Sequence, residues 1–212
     1  NRGITKSKTQ FAYVLNPDVI LREDTIFNIN NSISGLENFA ILSPISDDLN
    51  YPNYKTYKKD DIDKNNPIRN VEEIDGYSMI INKSYFSDNT FFDEKFFMYL
   101  ENVDLCLRAK KKGGELFIIK NSKIRHLGSQ AVDDKYYKEV ELSRNWHWMW
   151  SKCYFNKKHR GIFISISLAV SILLENFFKY LICLITSNKK GVIYKMRLSG
   201  TFNALLGRRS WF

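Results

Sequence analysis

Five side chains in this sequence have the chemistry of a metal- or proton-handling site: Asp18, Asp75, Glu101, Asp104 and His126. Asp18 follows the apolar run Phe11-Ala12-Tyr13-Val14-Leu15 and the turn Asn16-Pro17-Asp18. Pro17 cannot continue a central ladder, so Asp18 is expected just past the carboxyl end of a strand. In open α/β sheets that edge is where ligands bind. Hard divalent cations such as Mg²⁺ and Mn²⁺ prefer carboxylates, and Mn²⁺ also accepts imidazole. One acid on a turn and His126 at a neighbouring strand end could therefore hold a metal that also touches a phosphate. Glu101 and Asp104 lie three apart on one face of a helix start. Such a pair can include a general base, or can simply interact with the helix N-terminus. Taken singly, each residue also has a plainer reading: a turn aspartate, a structural histidine, a helix N-terminal acid.

The elements that must position these residues alternate along the chain. Strands are expected at 11–15, at 39–43 with Pro44 ending it, in the second half of 73–81, at 116–119 and at 123–126. Helices are expected at 22–37 and 100–112, the latter stopped by Gly113-Gly114, with a helical turn at 83–87. The aromatic block from Phe91 to Phe97 should pack beneath the following helix. Residues 46–70 are polar, hold Pro52 and Pro67, and read as a long loop, either a lid or a solvated insertion. The alternation of strands and helices favours an α/β domain with a mainly parallel sheet.

Charge divides the chain. Residues 1–151 hold 21 Lys/Arg against 22 Asp/Glu, a net of −1, whereas residues 152–212 hold 11 against one, a net of +10. The overall +9 is thus a property of the tail, which argues against nucleic acid as partner and for a charged surface. The widely spaced Cys106, Cys153 and Cys183 form neither a disulfide framework nor a zinc motif, and Cys106 reads as core filler in a reducing compartment.

Read in order, several segments form a longer pattern: Asn1-Arg2-Gly3; Tyr13-Val14-Leu15-Asn16-Pro17-Asp18-Val19; Asp75-Gly76-Tyr77-Ser78-Met79-Ile80-Ile81; the block from Phe92-Asp93-Glu94 through Glu101-Asn102-Val103-Asp104 to Leu107-Arg108; and His126-Leu127-Gly128-Ser129. This series resembles the family 2 glycosyltransferases, specifically the rhamnosyltransferase-like branch with a nucleotide-sugar-binding GT-A fold. The resemblance implies a GT-A (Rossmann-like) domain over 1–135, lacking the first nucleotide-binding strands because the chain begins at the Asn-x-Gly stretch. It implies that Asp18 and His126 are metal ligands for Mn²⁺ or Mg²⁺, and that Asn16 and Asp18 lie at the donor diphosphate. Asp75 and Gly76 would lie on the acceptor side. Glu101 would be the catalytic base, with Asp104 second, and Asn102 stands where the family usually has an aspartate. The implied reaction transfers a sugar, rhamnose or another hexose, from a nucleotide-diphosphate donor to a lipid-linked or polysaccharide acceptor, with inversion. The alternative is a non-catalytic membrane-bound scaffold or partner subunit with a degenerate site.

A linker helix is expected within 136–160, followed by a basic, apolar, membrane-associated helical tail over 161–212. Ile162 to Thr186 is apolar over about 25 residues, long enough to span a bilayer. Ser167, Ser171, Glu175 and Lys179 nevertheless recur every four residues as a narrow polar stripe. Basic clusters flank both ends, which favours a helix, or a hairpin broken near Glu175-Asn176, lying peripherally or monotopically at the cytoplasmic face of the inner membrane. A spanning helix and a buried helix are the alternatives. Trp146, Trp148, Trp150, Tyr154 and Phe155 either line the membrane interface or pack the linker helix.

Overall fold

The structure, a computed structural model, describes residues 1–48, 50–56, 66–86, 90–128 and 133–210. The chain divides into two compact units, Asn1–Asp93 with Asn102–Ala131, and Glu94–Glu101 with Val132–Phe212. This division joins linker helix and tail into one unit and adds a short upstream segment to it.

The first unit is built on a six-stranded sheet. Its strands are β1 (Phe11–Leu15), β2 (Val19–Leu21), β3 (Phe39–Ser46), β5 (Ile68–Asn70), β7 (Ser78–Asn82) and β8 (Glu115–His126). Their order is β1-β7-β3-β8-β2, with β5 also on β8, and a separate ribbon joins β4 (Tyr54–Lys55) to β6 (Glu73–Ile74). Among these pairings only β3 with β8 is parallel; β7 runs antiparallel to both β1 and β3, and β2 and β5 antiparallel to β8. The expected mainly parallel sheet is therefore corrected to a mixed, mostly antiparallel one. A strand buried on both faces reads as an unbroken apolar run in either orientation, so Phe39–Leu42 and Met79–Ile81 carried no mark of direction.

Both faces of this sheet are covered. Helix α3 (Glu101–Lys111) lays Leu105, Cys106 and Ala109 against Ile41, Met79, Ile81 and Ile118. Helix α2 (Thr25–Ile33) lays Ile29 and Ile33 against Leu42, Ile80 and Ile119. Each fully buried aliphatic side chain contributes roughly 1.5–3 kcal/mol. The short helix α1 (Arg2–Lys6) is held through Asn1, whose amide donates to the Phe92 carbonyl at 2.8 Å and accepts from its N–H at 2.7 Å.

Two expectations change in detail. Pro44 does not end β3; the strand continues to Ser46. Pairing with β7 is confined to Ile41 and Leu42, and the ladder to β8 shifts register between Pro44 and Ile45. The missing N–H of Pro44 therefore falls where the ladder is already irregular. The two short extended pieces expected at 116–119 and 123–126 are one strand, β8. The proposed lid falls partly at residues 49 and 57–65, outside the described residues.

The second unit is helical: α4 (Tyr137–Arg160), α5 (Ile162–Ile185) and α6 (Gly191–Leu205) pack together. A Cβ at Gly200 would come within 2.3 Å of the Trp146 carbonyl oxygen, so only glycine lets α6 cross α4 at this distance. Trp146 Nε1 donates to Ser199 Oγ at 3.1 Å, and Arg197 Nε to Asn145 Oδ1 at 2.7 Å. The segment 94–101 packs on α4: Phe96 edge-on to Tyr154, Tyr99 edge-on to Trp148, and Ser151 Oγ donating to the Met98 carbonyl at 2.7 Å. Several of the expected interfacial aromatics are thus packing residues; Trp146 and Trp150 are buried, while Trp148 is exposed.

Helix α5 is unbroken and its sidedness is inverted relative to a helix of a water-soluble domain. Its buried positions are Ser165, Ala169, Asn176 and Cys183, all small or polar. Its exposed positions include Phe163 (85%), Leu174 (54%), Phe178 (59%) and Ile185 (84%).

Candidate active site

The turn that carries Asp18 is built by its sequence. The Val19 N–H donates to the Asn16 carbonyl at 3.2 Å, closing a β-turn with Pro17 and Asp18 at its centre. Two strand ends hold it: the Asn16 N–H donates to the Tyr77 carbonyl, and the Leu127 N–H to the Asp18 carbonyl, both at 2.9 Å. β8 outruns β3 and brings His126 to this end of the sheet, opposite Val19.

Asp18 Oδ2 and His126 Nε2 lie 3.2 Å apart, both partly exposed. The His126 ring stacks on Tyr77, centroids 4.1 Å apart and planes 11° from parallel. Burial pushes the Tyr77 hydroxyl up to about 12, its hydrogen bond with Ser46 opposing this and the charges of Asp75, Asp47 and Asp48 adding to it. Tyr77 is thus a neutral donor at physiological pH, stacked on an imidazole and surrounded by carboxylates. Burial likewise raises the pKa of Asp75, partly offset by Lys55 and His126. Asp75 and Gly76 follow β6, and the Asp75 N–H donates to the Asn53 carbonyl at 2.9 Å. Asp18, Asp75 and His126, far apart in sequence, thus share one end of the sheet within the first unit.

Three contributors escaped the sequence. Tyr77 sits in the quoted motif yet carried no role. Asp47 follows β3 and pairs with Arg22. Asn53, in the supposed lid, is fully buried. Its amide donates to Ser43 Oγ at 3.1 Å and to the Pro44 carbonyl at 2.8 Å, and accepts from the Ser46 N–H at 2.9 Å. It fills the irregular stretch of β3. The available signal was the proline itself, whose presence in a strand marks an interrupted ladder with backbone groups left for side chains to bond.

The acids of α3 part company. Asp104 is fully buried and accepts from Arg108 Nε at 2.8 Å, while Arg108 also donates to the carbonyls of Thr90 and Phe91. This carboxylate is committed to a structural ion pair and closed to an acceptor. Asn102 donates to the Ile74 carbonyl at 2.9 Å, a bond that a carboxylate could not make. Glu101 belongs to the second unit. Its Oε2 is buried without a hydrogen-bond partner, and burial raises its pKa. The two residues before it, Tyr99 (φ 71°) and Leu100 (φ 66°), are both left-handed, a conformation that costs non-glycine residues energy and recurs where side chains are held for function.

Among the described residues no three His, Cys, Asp or Glu side chains gather closely enough to enclose a metal. Asp18 and His126 offer two ligands, one carboxylate and one imidazole. Two adjacent ligands of an octahedral ion, each at about 2.1 Å, stand about 3 Å apart, close to their 3.2 Å separation. That donor set suits Mn²⁺ better than Mg²⁺ and leaves positions for oxygens from elsewhere. Neither the family models nor the curated proteins compared with the chain give a match.

Proposed function

We propose that the protein is an inverting, metal-dependent glycosyltransferase of GT-A type. Its donor is a nucleotide-diphosphate sugar, such as a rhamnose or other hexose donor, and its acceptor a lipid-linked or polysaccharide hydroxyl. The observation that carries this reading is the meeting of Asp18 with His126, whose ring stacks on Tyr77, with Asp75 at the same sheet end. Asp18 and His126 would hold the cation, which when bound offsets negative charge developing on the leaving diphosphate. Asn16 presents its backbone turn at the donor side. Tyr77 keeps the His126 ring fixed, and its un-ionised hydroxyl adds no charge to the site. Asp75 and Gly76 form the acceptor side in this reading. Glu101, with a free carboxylate oxygen and a raised pKa, takes the acceptor proton.

The tail supports membrane attachment at the cytoplasmic face. α5 is long and apolar enough to span, and only 17% of its most apolar window is buried. Glu175, near its middle, feels the positive charges of Lys179, Lys152 and Arg197. A spanning α5 would take Glu175 and Lys179 toward the bilayer centre, at a cost of about 2.5–3.5 kcal/mol each. An α5 lying along one leaflet leaves them in water and supports the peripheral or monotopic reading.

The test is donor turnover by the full-length enzyme with Mn²⁺. Asp18→Ala and His126→Ala should each lower turnover by about 10²-fold at limiting Mn²⁺, and Glu101→Gln by about 10²–10⁴-fold. Unchanged turnover in Asp18→Ala sinks the metal assignment. The second reading, a non-catalytic scaffold, draws on the amide at Asn102; it predicts nucleotide-sugar binding without any turnover.

A further inference from the structure

Among the described residues, three half-buried arginines are engaged by a side chain. Arg69 donates to the Tyr54 hydroxyl, Arg108 to Asp104 and Arg197 to Asn145, at 2.9, 2.8 and 2.7 Å. Arg144 on α4 is also half-buried, and no described residue accepts from its guanidinium or pairs with it, Glu141 one turn earlier included. A guanidinium that has given up part of its water and gained no acceptor has a place for an anion. On the glycosyltransferase reading, we propose that Arg144 holds the phosphoryl group of the acceptor, which is then an anionic lipid phosphate and not a neutral glycan.

The surroundings of Arg144 are built to keep it in place. Arg144, Trp148 and Ser151 lie at i, i+4 and i+7, on one face of α4. That face receives the segment before α3. Ser151 Oγ donates to the Met98 carbonyl, and Tyr99 stands edge-on to Trp148, centroids 5.5 Å apart. The Arg144 charge reaches the Tyr99 hydroxyl: burial raises the pKa of that group, Arg144 lowers it and Glu101 raises it. Tyr99 thus stands in the fields of both the arginine and the candidate base, and all these residues belong to the helical unit. Tyr99 and Leu100 hold this place with left-handed backbone, φ 71° and 66°. Side-chain-bearing residues adopt that conformation at a cost, and it clusters at ligand clamps.

The fork of a guanidinium matches the paired oxygens of a phosphate. It matches a carboxylate as well, so a second feature decides. The unit that carries Arg144 and Glu101 also carries α5, which exposes Phe163, Leu174, Phe178 and Ile185. An acceptor whose phosphate bears an apolar chain satisfies both: the anion meets Arg144, and the chain belongs in the solvent that α5 suits. A uronate in a polysaccharide has no such chain. Trp148 is 40% exposed, so this face of α4 is open to a ligand.

The experiment is isothermal titration calorimetry on the full-length protein in mild detergent with EDTA, which prevents a diphosphate from binding through a cation at Asp18 and His126. The probes are farnesyl diphosphate, inorganic diphosphate, farnesol and glucuronate. Farnesyl diphosphate should bind at least about tenfold more tightly than the other three. Arg144→Gln should weaken it about 10- to 100-fold, the loss of charge-assisted hydrogen bonding. Arg144→Lys should fall between, since it keeps the charge without the fork. Urea midpoints of both variants should match the unaltered protein, because no ion pair among the described residues is lost. Equal binding of any other probe, an affinity indifferent to Arg144→Gln, or midpoints lowered in step with affinity in both variants would each overturn the proposal. Turnover separates this result from the reaction itself. Arg144-dependent binding with no turnover on any acceptor keeps the lipid phosphate and removes the transferase. Turnover on a neutral glycoside that ignores Arg144→Gln keeps the transferase and removes the lipid phosphate.

Discussion

Burial gives the same side-chain chemistry opposite uses in α3. Asp104 is sealed against Arg108, and Glu101 is left with an unpaired oxygen. Asp104→Asn should therefore cost stability, about 2–3 kcal/mol in urea unfolding, because Arg108 keeps its burial and loses its counter-charge. Glu101→Gln should behave in the opposite way. Burial raises the Glu101 pKa in the folded protein above its unfolded value, so the folded state binds that proton more tightly. Stability from this group then falls as pH climbs through the carboxyl range and is level beyond it. Glu101→Gln should flatten that fall, measured as urea midpoints across pH. In turnover, the acidic limb of kcat/KM should lie above the ordinary glutamate range, since the base must lose a more tightly held proton. The spacing of Glu101 and Asp104 was legible in the sequence. Which of the two was free was not, because that depends on Arg108 reaching back four residues and on the carbonyls of Thr90 and Phe91.

Elements were legible where a strong local signal marked them. The strand at 11–15, the glycine stop after α3 and the apolar helix from 162 all stand where pattern placed them. Strand direction was not, since β7 enters between β1 and β3 from a distant part of the chain and leaves the apolar runs unchanged. Pro44 misled for a different reason: the side chain that bonds the irregular stretch of β3 around it, Asn53, sits in a polar stretch without periodicity. Asn53→Ala would leave the Ser46 N–H and the Pro44 carbonyl unpartnered in the core. We expect a loss of about 2–3 kcal/mol by chemical unfolding, while the backbone bond from Asp75 to the Asn53 carbonyl is kept. In the helical unit, Gly200→Ala should cost about 1–3 kcal/mol, since the atom its Cβ meets is backbone and cannot turn aside.

At the scale of the molecule, a near-neutral sum over residues 1–151 followed by a cationic, apolar stretch is what the proposed membrane attachment rests on. Replacing Leu174 and Phe178 by lysine should abolish co-sedimentation with vesicles of phosphatidylcholine and phosphatidylglycerol while the helical circular dichroism persists. Raising salt should weaken binding of the unaltered chain, as anionic headgroups and the flanking lysines are screened from each other. The order of the two parts along the chain has a consequence for biosynthesis. Every strand of the sheet is complete by His126, and α5 begins only at Ile162. At about 5–20 residues per second, the ribosome completes these strands seconds before α5 exists. In the membrane-attached reading, α5 would meet the bilayer only after these strands are able to pair.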